Sequence, residues 1–301
     1  MKYIDQLVSQ VNKKQLLLYL PFTFFYLMIM VVNWIATQVS SISTKELIHT
    51  QVQLMGKNMA FFQLIIPFTI FLILLLLWVL FVHKQSLVSL TTSRTKIDLK
   101  RFSFAFGCQT VLILLSFAIS YILDPSDFVF SFNWAAFIGF FVIALIFIPI
   151  QTSFEEYFFR GYLMQGVGLA TRSRGVALLV TSVIFGLLHM ANPEVETLGS
   201  AIMIYYIGTG FFLGILTLMD DGLELALGFH AANNLIGALL VTSSWTVFQT
   251  NSIFLNTTPQ EKISVWEFVW QVFIFYPILL VLFAKRYQWK DWKNRLFGRV
   301  A

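Results

Sequence analysis

The stretch QTSFEEYFFRGYLMQG, residues 151–166, places Glu155, Glu156 and Arg160 close together in a chain that is only 12% charged and 58% hydrophobic. Two other polar groups interrupt apolar surroundings: His189 in SVIFGLLHM, and His230 with Asn233 and Asn234 in LGFHAANNLIG. A carboxylate with an imidazole can act as the general base that activates water. A histidine with an amide can donate to the oxyanion of a tetrahedral intermediate. The reaction class is hydrolysis of an acyl bond, foremost a peptide bond. Glu with two His also matches a zinc-ligand set found in hydrolases, and the spacing leaves that alternative open.

Helix geometry separates the roles in the first cluster. Glu156 and Arg160 are four apart and share a face, so they can pair. Glu155 points elsewhere around the helix and is not neutralised by Arg160 in the same way. One carboxylate can be structural while its neighbour faces a cavity. His230 and Asn234 also share a face. Each cluster has a blander reading: charges marking the inner membrane interface for the first, hydrogen-bonding glue between helices for the others. Phe185 and Gly186, just before His189, suggest a tightly packed helix face.

Other hydrolase chemistries fit less well. The chain has no H-E-x-x-H for a zinc-binding helix and no Ser in a G-x-S-x-G turn. Asp220 and Asp221 are adjacent, where an aspartyl pair needs separate spans; with Gly222 they read as a solvated turn.

The elements that must position these groups are membrane helices. A mean hydropathy of +0.77 and 33 Phe do not describe a soluble domain, which usually carries about 25% charge. Apolar runs long enough to cross a bilayer, roughly 20 residues, recur over residues 16–36, 59–82, 103–123, 133–150, 175–191, 199–219, 223–242 and 263–284. The first is too long for a signal-peptide core. The expected fold is all-α: a polytopic membrane protein of about eight transmembrane helices with an intramembrane polar cavity. It reads as one integral domain, residues 1–301, with the polar clusters in a core at 130–245 and a basic, Trp-bearing interfacial tail at 285–301. The one cysteine, Cys108, sits inside a span, so neither an intrachain disulfide nor a cysteine metal site is available.

With both termini cytoplasmic, all of the 20 Lys and Arg fall on inner segments except Lys45, Lys57 and Lys262. The inner set begins with Lys2, Lys13 and Lys14. The basic balance thus implies topology and contact of the inner loops and tail with anionic lipid, with no nucleic-acid partner. On these boundaries the site groups sit at different depths. Glu155 falls near the inner end of a straight fourth span, while His230 lies about 12 Å and His189 about 21 Å into theirs at ~1.5 Å per residue.

Three motifs in order, EEYFFR as E-E-x-x-x-R, FGLLH as F-x-x-x-H and HAANN as H-x-x-x-N, resemble the CPBP family of intramembrane proteases, also called Abi or CAAX-protease-like. That family includes CAAX prenyl endopeptidases and bacterial proteins linked to bacteriocin processing and immunity. The resemblance implies that Glu155 activates water and that His189 orients or shares its proton. It also implies that His230 and Asn234 form the oxyanion site and that Glu156 with Arg160 supports the helix. It further implies a glutamate protease without a metal cofactor, acting on a membrane peptide or protein, in a bacterial plasma membrane. A non-catalytic scaffold or binding protein of the same family is the alternative, and behind it a transporter whose intramembrane charges bind a solute.

Overall fold

A computed structural model describes residues 2–8, 11, 13–40 and 42–301. The side chain of Lys13, counted above among the inner cations, lies outside the described set. The helices in chain order are α1 (Lys14–Val39), α2 (Thr44–Met55), α3 (Lys57–Val82), the short α4 (Leu87–Thr91), α5 (Leu99–Leu123) and α6 (Trp134–Thr171). They continue as α7 (Arg174–Leu187), the short α8 (Pro193–Leu198), α9 (Ser200–Asp220), α10 (Glu224–Leu240), α11 (Trp266–Tyr287) and α12 (Trp292–Phe297). A small sheet closes one end: β1 (Phe128–Phe130) runs antiparallel to β3 (Phe254–Asn256), and β2 (Val241–Thr242) runs parallel to β3. The strands are too short for an alternation pattern to reveal them in sequence.

Six of these helices, α1, α3, α5, α6, α9 and α11, are long and apolar enough to cross a membrane. The expected fifth and seventh spans are present as α7 and α10, of 14 and 17 residues, each shorter than a crossing. Phe24, Phe81, Ile122 and Leu123 lie on the outside with most of their surface uncovered. An apolar exterior of that extent suits lipid and not water. This is an integral membrane protein.

The sequence-expected end of the fourth span at residue 150 is wrong. α6 runs unbroken for 38 residues, about 57 Å at ~1.5 Å per residue. Side-chain caps set its borders: Asn133 accepts from Ala136 N–H at 3.0 Å, and Ser173 accepts from Val176 N–H at 3.2 Å to start α7. Arg172 in the left-handed region (φ 55°) ends α6 between them. The charges at 155, 156 and 160 mimic the end of a span, but they lie mid-helix.

This length also removes the mismatch in depth. Measured from the tight turn between α6 and α7, Glu155 and His189 lie at similar rises, roughly 24 Å and 22 Å. α10 starts from a recessed level. Leu223 N–H donates to Thr91 O at 2.8 Å, and the Thr91 hydroxyl bonds Tyr157 OH at 3.0 Å, beside the glutamates. Two turns into α10, His230 is level with them.

Two glycines show how closely the site-bearing helices approach. A Cβ on Gly186 would lie 2.4 Å from Ile207 Cγ1, so α7 and α9 touch backbone to side chain. A Cβ on Gly228 would lie 2.1 Å from the Phe102 carbonyl oxygen, so only glycine lets α10 lie this close to α5.

The Asp220–Gly222 turn is not solvated, contrary to expectation. Asp220 is buried and pairs with Arg94 (3.3 Å) and Arg101, and Trp289 Nε1 donates to it at 3.1 Å. Arg94 also holds Glu224 at 2.6 Å, and Arg295 holds Asp221 at 2.5 Å. The basic loop and the tail, which carry charges of opposite sign, fold over this turn and neutralise it.

Candidate active site

α6 supplies both carboxylates and their cation. Glu156 and Arg160 are fully buried, at 0% exposure each, and pair at 3.0 Å through Glu156 Oε1 and Arg160 Nη1. The i,i+4 spacing delivers this pair as expected. Arg160 Nη2 donates to the Gly210 carbonyl at 3.0 Å, and its guanidinium lies 4.2 Å from the centroid of the Phe185 ring. The backbone from Tyr157 to Leu163 is π-helical. Such a widened turn re-aims the side chains that follow it and recurs at functional sites.

α10 brings His230 against the same glutamates. Its Nδ1 donates to Glu156 Oε1 at 2.8 Å, and its Nε2 stands 3.4 Å from Glu155 Oε2. Glu155 and His230 are 8% and 5% exposed. A carboxylate on Nδ1 fixes the ring's orientation and tautomer, leaving Nε2 to face the second carboxylate. Glu156 therefore does more than pair with Arg160: it anchors the histidine. Glu156 Oε2 and Arg160 Nε have no hydrogen-bond partner.

Asn234 lies one turn beyond His230 on the same face, as the spacing predicts, and donates to Gln151 Oε1 at 3.1 Å. Gln151 is buried on α6, one turn before Glu155, and sits against its carboxylate. An amide chain continues from Asn234 to Asn233 (3.1 Å) and from Asn233 to Gln109 on α5 (3.0 Å). Sequence reasoning missed Gln151 and Gln109. Gln151 opens the polar run QTS that leads into the glutamates, and Gln109 sits with Thr110 in an otherwise apolar helix, so neither stands out as the histidines do.

His189 lies in the turn after α7. Its Nδ1 donates to the Phe185 carbonyl at 2.8 Å, which leaves Nε2 as the acceptor of the neutral ring. It stacks on Tyr206 at 4.4 Å, and Phe185 lies between it and His230, at 5.0 Å and 6.0 Å. The structure thus joins Glu155, Glu156, Arg160 and His230 directly, with Asn234 joined through Gln151 and His189 through Phe185.

Among the described residues, no three His, Cys, Asp or Glu side chains converge as ligands for one metal ion. Glu155 Oε2 and His230 Nε2 stand 3.4 Å apart, and the Nδ1 of His189 donates to a carbonyl, which leaves its Nε2 open.

Residues 131–236 match the sequence model of the family described as type II CAAX prenyl endopeptidase Rce1-like. The chain is also 31% identical over 216 residues to the uncharacterized protein YyaK of Bacillus subtilis (strain 168), an alignment covering 71% of this chain and 70% of that one. The chain belongs to the Rce1-like family. It is a CAAX-protease-type intramembrane endopeptidase whose substrate is a membrane-associated peptide or protein. No solved structure matches it. The segment matched to the Rce1-like family includes the glutamates, both histidines and Asn234.

Proposed function

We propose that Glu155 activates the water that cleaves the peptide bond, without a metal. The observation that supports this is the position of His230, held on Nδ1 by Glu156 and facing Glu155 with Nε2. Glu155 takes one proton from water as the oxygen attacks the carbonyl carbon. His230 Nε2, 3.4 Å away, can hold that proton until it leaves on the amine as the C–N bond breaks. Asn234 uses one amide N–H on Gln151 and has a second to donate to the carbonyl oxygen as it becomes anionic; the protonated His230 is the other donor. His189 accepts through Nε2 and orients the water or the substrate. Glu156 and Arg160 keep His230 in place.

The buried pairing supports turnover over scaffolding, because desolvating two carboxylates and a guanidinium costs several kcal/mol per ion, a cost a passive surface need not carry. The test is kinetic, on the protein's membrane-tethered peptide substrate in nanodiscs. Asn234→Ala should lower kcat by about 10²–10³-fold with KM little changed, as loss of an oxyanion donor does. A change confined to KM would contradict the assignment.

A further inference from the structure

Beside the catalytic cluster lies a cavity of about 320 Å³, walled by Glu194, Tyr205, Tyr206, Asn233, Trp245 and Gln271 among others. It adjoins the site on two sides. Tyr206 is the ring on which His189 stacks, and Asn233 bonds to Asn234. The volume is at the lower end for ligand pockets, which run about 300–1,000 Å³, and suits one side chain.

Glu194 is the one charged group among the described residues lining it. Its Oε1 accepts from Val247 N–H at 2.8 Å, while Oε2 is buried with no partner. Burial, which disfavours the charged form, pushes its carboxyl up to about 7. Among the described residues no Lys or Arg lines the cavity. The Trp245 Nε1 is also buried without a partner, and Tyr205, Tyr206 and Trp245 offer aromatic faces to an alkyl stem or a cation.

We propose that this cavity is a substrate subsite that selects a lysine or arginine side chain near the scissile bond, with Glu194 as its counter-charge. The assignment rests on the endopeptidase reading, since an endopeptidase meets internal residues and not a free amino terminus. An aliphatic stem along the aromatic wall and a charged head at Glu194 Oε2 would satisfy that oxygen, while the Trp245 Nε1–H, a donor, is left for an acceptor such as a substrate carbonyl.

The test uses the full chain in lipid nanodiscs with a pool of membrane-tethered peptides randomised around their centre. The cleaved products of the intact protein should be enriched in Lys or Arg at a single position by about tenfold, the scale of one charge-assisted hydrogen bond. Glu194→Gln should flatten that preference, and Glu194→Lys should turn it toward Asp or Glu. Cleavage with no basic preference, or with the same preference in Glu194→Gln, overturns the subsite while leaving the protease standing. If the pool is not cut at all, the protease reading is what has failed. Binding then decides the subsite: butylguanidinium should raise the melting temperature of the intact protein saturably, and the neutral N-butylurea should not. Loss of that difference in Glu194→Gln supports the subsite, and its absence in the intact protein refutes it.

Discussion

Arg160 has no water to fall back on. It is fully buried, paired with Glu156, bonded to the Gly210 carbonyl and set against Phe185. Removing one member of a buried pair leaves an uncompensated charge, at a cost of about 3–5 kcal/mol. Arg160→Met should therefore lower the melting temperature in detergent sharply, and a melting curve like that of the intact protein would refute the structural role. Glu194 makes the opposite prediction. Its carboxyl sits at about 7 in the folded chain against 4.5 ordinarily, so the folded state holds its proton more tightly. Its contribution is fully present below about 4.5, is lost as pH rises toward 7, and stays lost above. Glu194→Gln should accordingly gain stability relative to the intact protein at pH 8 and show no such gain at pH 4. An equal difference at both pH values would contradict the buried, unpaired carboxyl. At this scale much was legible in the sequence. The Glu156–Arg160 pair and the shared face of His230 and Asn234 follow from i,i+4 spacing alone. The clamp of His230 between two glutamates does not, because it joins α6 to α10 and no periodicity within one helix encodes that.

The site depends on α10 lying close to both α5 and α6. His230 and Asn234 reach α6 from one face of α10, and Asn233 reaches Gln109 on α5 from beside it. Gly228, two residues before His230, is the contact that permits the approach. Gly228→Leu should push α10 away from α5, lengthen the His230–Glu156 bond and abolish hydrolysis, with overpacking costing about 1–3 kcal/mol. Retained activity in Gly228→Leu would show that the approach is not needed. Element boundaries were the least legible part of the sequence. Charges mid-helix mimic a membrane edge and place the end of the span at residue 150, whereas the pairing of Glu156, Arg160 and His230 lets those charges stay inside. The recessed start of α10 is equally hidden, since it is set by contacts of Leu223 and Tyr157 with Thr91 at the end of the distant helix α4.

The whole molecule presents an apolar exterior around a polar centre, with an ionic layer at one end. There Arg174 binds Asp5 at 2.5 Å and the Arg299 carbonyl at 2.6 Å, so both chain ends meet at the α6–α7 turn. The same end carries the Arg94–Asp220–Glu224 cluster and the folded-back tail, whose Lys290 and Lys293 remain exposed. Placing this end in the cytoplasm, against anionic lipid, is our reading of the basic bias. The role we propose for Glu155 is activation of the water that cleaves a peptide bond. Its most direct test compares cells carrying the intact protein with cells carrying Glu155→Gln at equal expression, by mass spectrometry of new peptide termini in membrane and secreted fractions. Removing a general base costs about 10²–10⁴-fold in rate. Termini should therefore appear with the intact protein and be absent with Glu155→Gln, naming substrate and cleavage site together. The same termini in both cells would contradict the account.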